Sequence, residues 1–554
     1  MKKNSQSNKK YIFVTGGVMS GVGKGTTCSA IAAILKGKGF EVTILKVDPY
    51  VNVDAGTMNP TEHGEVFVLS DGTECDQDMG NYERFLEQEL SGANYMTTGS
   101  VYQKVIARER ALKYRGKCVE VVPHIPLEVI DRIEKAAQKA NAEFCIIEIG
   151  GTVGEYQNVL FLEAARMMKL KHPGDVLVAM VGYLPIPDKI GEMKTKPTQY
   201  AVRTLNSAGI QPDFIIARSE KPLDQKRKEK LATFCNIHEE NIISAPDIDS
   251  IYHLPVNFEK GAISRLILKK FHLRQKKKDL EAWRKLSSKI NRLKKTVEIA
   301  VVGKYFSTGD FVLSDSYISV IEAIKHGAYK NNVKPNLTWI DSLSYEEKPS
   351  KIKELNKFDG LVVPGGFGER GIEGIIKAIK FARENKIPYL GLCYGMQLAV
   401  VEYARSKAGI KKATTAETDS HSKFAVVDLM PEQKEKMLRD NYGGTMRLGS
   451  CPAILKNGSR VVTIYKDVVI SERHRHRYEI NPIFIEKIKK AGLVFSGFSP
   501  DKKLMEIVEL PKAVHPFFVG TQFHPEFQSY PHNPHPLFTE FIKSAIQRRE
   551  NQKH

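Results

Sequence analysis

Along the chain, short runs of apolar, largely β-branched residues alternate with longer stretches in which apolar positions recur every three or four residues. Between residue 11 and about 270 the apolar runs are YIFVTGG, EVTILKVD, FCIIEIGG, VLVAMVGY and DFIIARS. They are apolar throughout rather than alternating, which predicts parallel strands covered on both faces by the intervening helices. The stretch KKFHLRQKKKDLEAWRKLSSKINRLKK (269–295) then brings Leu280, Trp283, Leu286, Ile290 and Leu293 onto one helical face, with basic residues elsewhere. That pattern predicts a linker helix docking one stripe on a domain. The rhythm restarts with VEIAVVGKY, LTWID, FDGLVVPGGFG, IPYLGLCYG and FFVGTQFHPEF. The expectation is an α/β protein of two domains, the first a doubly wound parallel sheet over 1–272. A basic linker helix over 273–296, a second α/β domain over 297–545 and a flexible tail over 546–554 complete it.

Composition narrows this picture only a little. A chain of 554 residues, 42% hydrophobic, has material for more than one buried core. The net charge of +19 suits nucleic acid, an anionic membrane surface, polyanionic small molecules or plain solubility. The seven cysteines are scattered without a C-x-x-C pair, so neither a zinc site nor a disulfide framework is expected, and a reducing cytoplasm is. The polar opening MKKNSQSNKK precedes too short an apolar run for a signal peptide, and no apolar stretch of about 18 residues is present to span a bilayer. A soluble protein is expected.

In the second half, YLGLCYGMQ sets Cys393 between Gly391 and Gly395, after a strand and before a helix. Small neighbours permit the sharp turn that exposes a nucleophile, and a helix N-terminus favours the thiolate. TQFHPEF adds His524 and Glu526 at i and i+2, on one face of an extended segment. His524 is therefore the candidate base for the thiol and Glu526 the group that fixes its tautomer. VPGGFGERG offers the N–H groups of Gly365 and Gly366 to a tetrahedral oxyanion. PGGFG, GLCYGMQ and QFHPEF in this order resemble the class I glutamine amidotransferases, which release ammonia from L-glutamine on a flavodoxin-like α/β domain. The resemblance implies that Gly366, Tyr394, Gly395, Met396, Gln397, Glu417 and Arg477 hold glutamine. His474 and His476 in ERHRHRYE alternate as a metal pair would, but Arg473, Arg475 and Arg477 favour anion binding there, and HNPHP (532–536) is expected to be a surface loop.

In the first half, TGGVMSGVGKGTT follows a strand and opens a helix like a phosphate-binding loop, with a departure in spelling. Five residues separate Gly17 from Gly23, and Gly25 follows Lys24 where the common G-x-x-x-x-G-K-[ST] pattern has Ser or Thr. Glu148 at the end of FCIIEIGG, together with Asp76 and Asp78 in ECDQDMG, are candidate carboxylates for a hard cation, and Lys46 is a further candidate cation.

Longer strings, DPYVNVDAGTMNPTEHGEVFV, EIGGTVGE, GEMKTKPTQ, FCNIHEENII and DIDSIY, are similar to those of the CTP synthase family. With the amidotransferase motifs, the likeness runs from about residue 10 to 545. It implies that ATP phosphorylates the 4-oxygen of UTP and that ammonia from glutamine displaces the phosphate to give CTP. It also implies activation by GTP, inhibition by CTP, and a homotetramer that stacks into filaments. Carried over, Ser20, Gly21, Val22, Gly23, Lys24, Gly25, Asp78 and Ile248 bind ATP, and Asp78 and Glu148 bind Mg2+. Ser20, Glu155, Tyr156, Gln157, Lys194, Thr195, Lys196, Pro197, Thr198, Gln199 and Lys230 bind UTP or CTP. The chain departs from the family in EYQN (155–158), where DIES is typical, so weaker CTP feedback is expected. Pro246, where a lysine can occur, is expected to shift ATP affinity modestly.

Two rival readings remain. A P-loop amidotransferase that amidates carboxylates, such as those of a corrinoid, is disfavoured by KTKPTQ. A nucleic-acid-binding module would use the charge and the basic linker but leaves the cysteine triad without a purpose. Neither a nucleic-acid partner nor a membrane is expected.

Overall fold

The computed structural model describes residues 9–277, 280–304, 307–308, 311–312, 314–429 and 446–552. The chain divides into two compact units, one of residues 1–54 and 78–288, the other of 55–77 and 289–554.

The first unit is built on a seven-stranded sheet. Its strands are β1 (Lys10–Gly16), β2 (Val42–Asp48), β3 (Tyr95–Thr97), β4 (Phe144–Thr152), β5 (Val176–Tyr183), β6 (Phe214–Ser219) and β7 (Ile242–Pro246), in the spatial order β3-β2-β4-β1-β5-β6-β7. Every pairing is parallel. The five apolar runs of the first half are β1, β2, β4, β5 and β6, and their side chains are buried on both faces, as helices covering both sides require. The helices that matter for the site are α1 (Lys24–Gly37), α2 (Asp78–Leu86), α3 (Lys196–Ser207) and α4 (Gln225–Cys235). β1 and β4 lie side by side near the centre, so the loops at their carboxyl ends meet over one crevice, where ligands of open α/β sheets bind.

The linker forms α5 (Glu281–Arg292), and the division between the units falls inside it, after Ser288. Leu280, Trp283, Leu286 and Ile290 are all buried, as the one-faced pattern predicts. In the first unit Trp283 stacks on Phe85 with ring centroids 5.1 Å apart and an interplanar angle of 22°.

The second unit carries a nine-stranded sheet. It comprises β8 (Thr296–Gly303), β9 (Lys334–Asp341), β10 (Gly360–Val363), β11 (Tyr389–Leu392), β12 (Arg447–Leu455), β13 (Val469–His476), β14 (Val494–Phe498), β15 (Met505–Glu509) and β16 (Phe518–Thr521), ordered β9-β8-β10-β11-β16-β15-β14-β12-β13. From β9 to β16 the pairs are parallel, and from β16 to β13 they are antiparallel. α6 (Tyr394–Ser406) follows β11 directly, and α7 (Pro536–Asn551) closes the unit.

Three expectations need correction. Residues 55–77 do not belong with an uninterrupted 1–272 domain. They form a hairpin (Val66–Val68 with Glu74–Asp76) held within the second unit, where Phe67 packs edge-on against Phe527 at 4.8 Å and Ser450 N–H donates to Ser70 O at 2.9 Å. The stretch expected as a flexible tail from 546 continues α7 to Asn551, because Ile546 still packs on the core; residues 553–554 lie outside the described residues. HNPHP is not merely a surface loop. His535 is buried, bonds Glu472 at 2.9 Å, and accepts from Leu537 N–H to cap α7.

Candidate functional site

In the first unit the loop after β1 turns through Gly21 (φ 70°) and Gly23 (φ 92°) into α1, whose first residue is Lys24. Lys24 is buried, and its ammonium donates to Gly151 O, at the end of β4, at 2.9 Å. The unusual Gly25 has a steric cause. A Cβ added there would lie 2.1 Å from Asp78 Oδ1, so any side chain would collide with the carboxylate that opens α2. Lys46 and Glu148 are register partners across β2 and β4, and Lys46 Nζ donates to Glu148 at 2.9 Å and to Asp78. Tyr82 also donates to Glu148. Burial, reinforced by the charge of Asp78, pushes the Glu148 carboxyl up against the opposing pull of Lys46 and Lys24. Thus Lys24, Lys46, Asp78 and Glu148 meet beneath one phosphate loop. Asp76 stands in the hairpin that groups with the second unit.

Arg218, at the end of β6, was not singled out from sequence. Its Nε lies 3.5 Å from where a Cβ on Gly23 would stand, and its guanidinium reaches Ala245 O, Pro246 O and Asp247. It therefore ties the loop to the strand end that precedes Ile248. A basic residue closing an apolar strand was the available signal. Glu155 folds back so that its carboxylate lies 2.7 Å from a Cβ built on Gly151. Tyr156 and Gln157 are exposed. At the start of α3, Thr198 donates to Tyr183 O at 2.9 Å and Gln199 to Thr195 at 3.0 Å, while Lys194 pairs with Glu192 at 2.8 Å. Lys196 and Pro197 open α3, and Lys230 is exposed on α4.

In the second unit Cys393 stands between β11 and α6 with φ 50° and ψ −96°, a left-handed conformation that a non-glycine residue adopts under strain. Its N–H donates to Thr521 O at 2.6 Å, which locks the turn to β16. That pairing brings the segment after β16 alongside the sulfur. There His524 Nδ1 bonds Glu526 Oε1 at 2.7 Å, and the ring stacks on Phe527 at 5.1 Å. Burial alone would lower the pKa of His524. The charges of Glu526 and of the Cys393 sulfur outweigh it and push the imidazole up to about 10. His524 Nε2 is buried without an aligned hydrogen-bond partner among the described residues, so the sulfur acts on the ring chiefly through charge. Gly365 lies against this ring; a Cβ there would come within 2.9 Å of its Cε1.

A cavity of about 470 Å3 opens over Cys393, walled by Gly366, Phe367, Tyr394, Gln397, Glu417, Met446, Arg475, His476, Arg477 and Tyr478. Gly56, Thr57, Met58 and Asn59 complete the wall, although they stand more than 300 residues earlier in the chain. Of the residues expected to hold glutamine, Gly395 and Met396 do not line it. Gly395 packs on Val363 O, and Met396 is buried in the core. Burial raises the Glu417 carboxyl, opposed by the Gly368 N–H it accepts at 2.8 Å and by the charges of Lys304 and Arg477. Lys304, also unanticipated, donates to Tyr394 Oη at 3.0 Å and is lowered to about 8 by burial.

His474 and His476 belong to no group of three or more His, Cys, Asp or Glu side chains placed to hold a metal ion, and no such group occurs among the described residues. They bond one another at 2.9 Å, and burial drives both pKa values well down. Nor does any helix among the described residues have the length and apolar character to cross a membrane.

Two family models cover most of the chain. One described as CTP synthase N-terminus matches residues 10–273, and one described as glutamine amidotransferase class-I matches 312–544. A CTP synthase of Thermococcus gammatolerans is 48% identical over 542 residues, covering 98% of this chain and 99% of the relative. Another, of Methanococcoides burtonii, is 46% identical over 545 residues, 98% and 99% respectively. Among solved structures, the glutaminase domain of Trypanosoma brucei CTPS with bound acivicin matches 45% of this chain and 94% of its own at 37% identity, with a TM-score of 0.42.

Proposed function

The chain belongs to the CTP synthase family, a ligase that aminates UTP with ammonia drawn from glutamine, and on that premise we propose which residues perform each step. In the second unit the Cys393 sulfur attacks the glutamine amide carbon. The proton of His524 passes to the departing nitrogen, so ammonia leaves and a γ-glutamyl thioester remains. His524, its tautomer set by Glu526, then takes a proton from water as the thioester is cleaved to glutamate. The Gly365 and Gly366 N–H groups hold the oxyanion. Glu417 and Arg477, opposite in charge on one cavity wall, fit the α-ammonium and α-carboxylate of glutamine.

In the first unit, the Ser20–Gly25 loop holds the ATP triphosphate, and Lys24 exchanges Gly151 O for the transferring phosphoryl group. Asp78 and Glu148 are the residues that would hold Mg2+, which when bound neutralises phosphate charge. Two hard oxygen ligands beside a phosphate loop suit that ion, and the Lys46 ammonium lying between them marks a place of cationic preference. Ile248 contacts the adenine. Ser20, Glu155, Tyr156, Gln157, Lys194 to Gln199 and Lys230 hold UTP, whose phosphorylated 4-oxygen ammonia displaces. CTP competes at the same residues, and GTP activates the glutaminase. A homotetramer that stacks into filaments is the assembly that membership of the family suggests. The protein acts in the cytoplasm.

The observation that carries this assignment is the Glu526–His524 bond beside Cys393 at the cavity. Cys393→Ala tests it. CTP formation from glutamine should vanish, while formation from added ammonium should stay near wild type. Loss of both, or survival of both, overturns the division of labour.

A further inference from the structure

A continuous polar chain runs through the second unit to the nucleophile, and its direction can be worked out from one atom. That atom is the main-chain oxygen of Tyr478, which can only accept. Gln397 Nε2 donates to it at 3.0 Å, and the same nitrogen is 3.3 Å from Gln522 Oε1. The Gln397 amide is therefore fixed with its NH2 toward both acceptors. Gln522 must then present its oxygen to Gln397, which leaves its own NH2 facing Cys393 Sγ at 3.7 Å. Both glutamine side chains are buried, so neither can turn to water.

The same oxygen orders the histidines. His476 Nδ1 lies 3.1 Å from Tyr478 O and must carry the proton, so its Nε2 accepts from His474 Nδ1 at 2.9 Å. Beyond them, His474 Nε2 lies 3.7 Å from Glu506 Oε2. Arg447 forks between Glu506 at 2.8 Å and Glu479 at 3.3 Å. Burial raises both carboxyl groups, Glu479 furthest, against the opposing pull of Arg447. Gln522 N–H also donates to Glu506 O at 2.8 Å, tying the glutamine backbone to this cluster. From Gln522 to His474, each group has a single permitted orientation.

We propose that Gln522 is a positioning hydrogen-bond donor to the Cys393 sulfur, its amide orientation imposed by Gln397 and, through it, by Tyr478 O. This rests on Cys393 being the nucleophile. A donor aimed at the sulfur favours the thiolate before attack, and favours it again as leaving group when water cleaves the thioester. His524 on the opposite flank then remains free to move the proton to and from the nitrogen. The other charged or titratable groups facing the sulfur are Glu526 through His524, Arg475, His476 and Arg477 at the end of β13, and Glu417 across the cavity.

The test is the rate of Cys393 alkylation by iodoacetamide against pH, in the full-length protein. The variants are Gln522→Met, which keeps shape and removes the donor, and Gln522→Glu, which replaces the donor by an anion. A hydrogen bond to a charged acceptor implies a shift of about one pH unit, and so about a tenfold slower reaction on the acid limb. The Met variant should move that limb upward by this amount and the Glu variant further. Glutamine kcat/KM should fall in parallel, with circular dichroism unchanged. Limbs unmoved in both variants overturn the proposal, since a merely structural role would lower the melting temperature without moving them. Cys393→Ala is run beside them. If it still hydrolyses glutamine, the nucleophile assignment fails instead, and the two failures are told apart.

Discussion

Replacing Gly25 by serine puts the ordinary residue after the loop lysine, yet it should inactivate the synthase. The added Cβ would stand 2.1 Å from Asp78 Oδ1 and 2.7 Å from Asp78 Cγ. Real contacts of this kind need more than 3 Å, so the carboxylate or α1 must retreat by about 1 Å, at a packing cost of roughly 1–3 kcal/mol. Asp78 cannot move alone, because its carboxylate is bound by Lys46, which also holds Glu148 at 2.9 Å. A displacement of about 1 Å among charge-positioning groups costs on the order of a hundredfold in rate. The assay is UTP-dependent ATP hydrolysis and CTP formation with saturating ammonium, across a Mg·ATP titration. A fall of that order is expected, while iodoacetamide alkylation of Cys393 continues at the wild-type rate. A Gly25→Ser protein with unchanged kcat and ATP KM would refute the steric account of the loop.

Three further outcomes are expected. Lys24→Ala should reduce CTP formation by roughly 10²–10³-fold from glutamine and ammonium alike, measured as steady-state rate, since it removes a charge that steadies the phosphoryl group. His515 accepts from Phe517 N–H at 3.2 Å and lies 3.3 Å from Ala382 O, so burial holds it neutral with a pKa lowered to about 4. Its stabilising effect is present above pH 6.5 and is lost as pH falls toward 4; at pH 5 the loss is about 2 kcal/mol. His515→Gln should therefore show a smaller drop in denaturant midpoint between pH 7 and 5 than the wild type; an equal drop would count against it. Finally, CTP should inhibit this chain weakly, and the double change Glu155→Asp, Gln157→Glu should tighten competitive inhibition by about tenfold; unaltered inhibition would show that the EYQN departure is neutral.

The strands of the first unit were legible because buried parallel strands leave unbroken apolar runs, and the His524–Glu526 bond because an i, i+2 spacing puts both side chains on one face. Long-range placement was not legible. Gly56 to Asn59 line the cavity over Cys393 because the hairpin behind them pairs Glu74 with Arg475 at 2.8 Å, a contact 401 residues apart that no local pattern announces. Lys304 and Arg218 were missed because a lone basic residue at a strand end looks like solvated surface until the neighbouring loop is in place. The histidines at 474 and 476 alternated as metal ligands would, and only their mutual bond and the cluster behind them showed a proton-ordered pair. The amide directions of Gln397 and Gln522 depend on a single main-chain oxygen, which composition cannot express.

The early hairpin also bears on how such a chain could be dissected. A gene fragment beginning at residue 289 would encode the triad but not Gly56 to Asn59, and Arg475 would lose Glu74 as its counter-ion. An excised glutaminase of this kind would work with one side of its chamber open to solvent, losing released ammonia to protonation. Fission of the gene at residue 289 would thus leave the second unit without part of its own cavity wall.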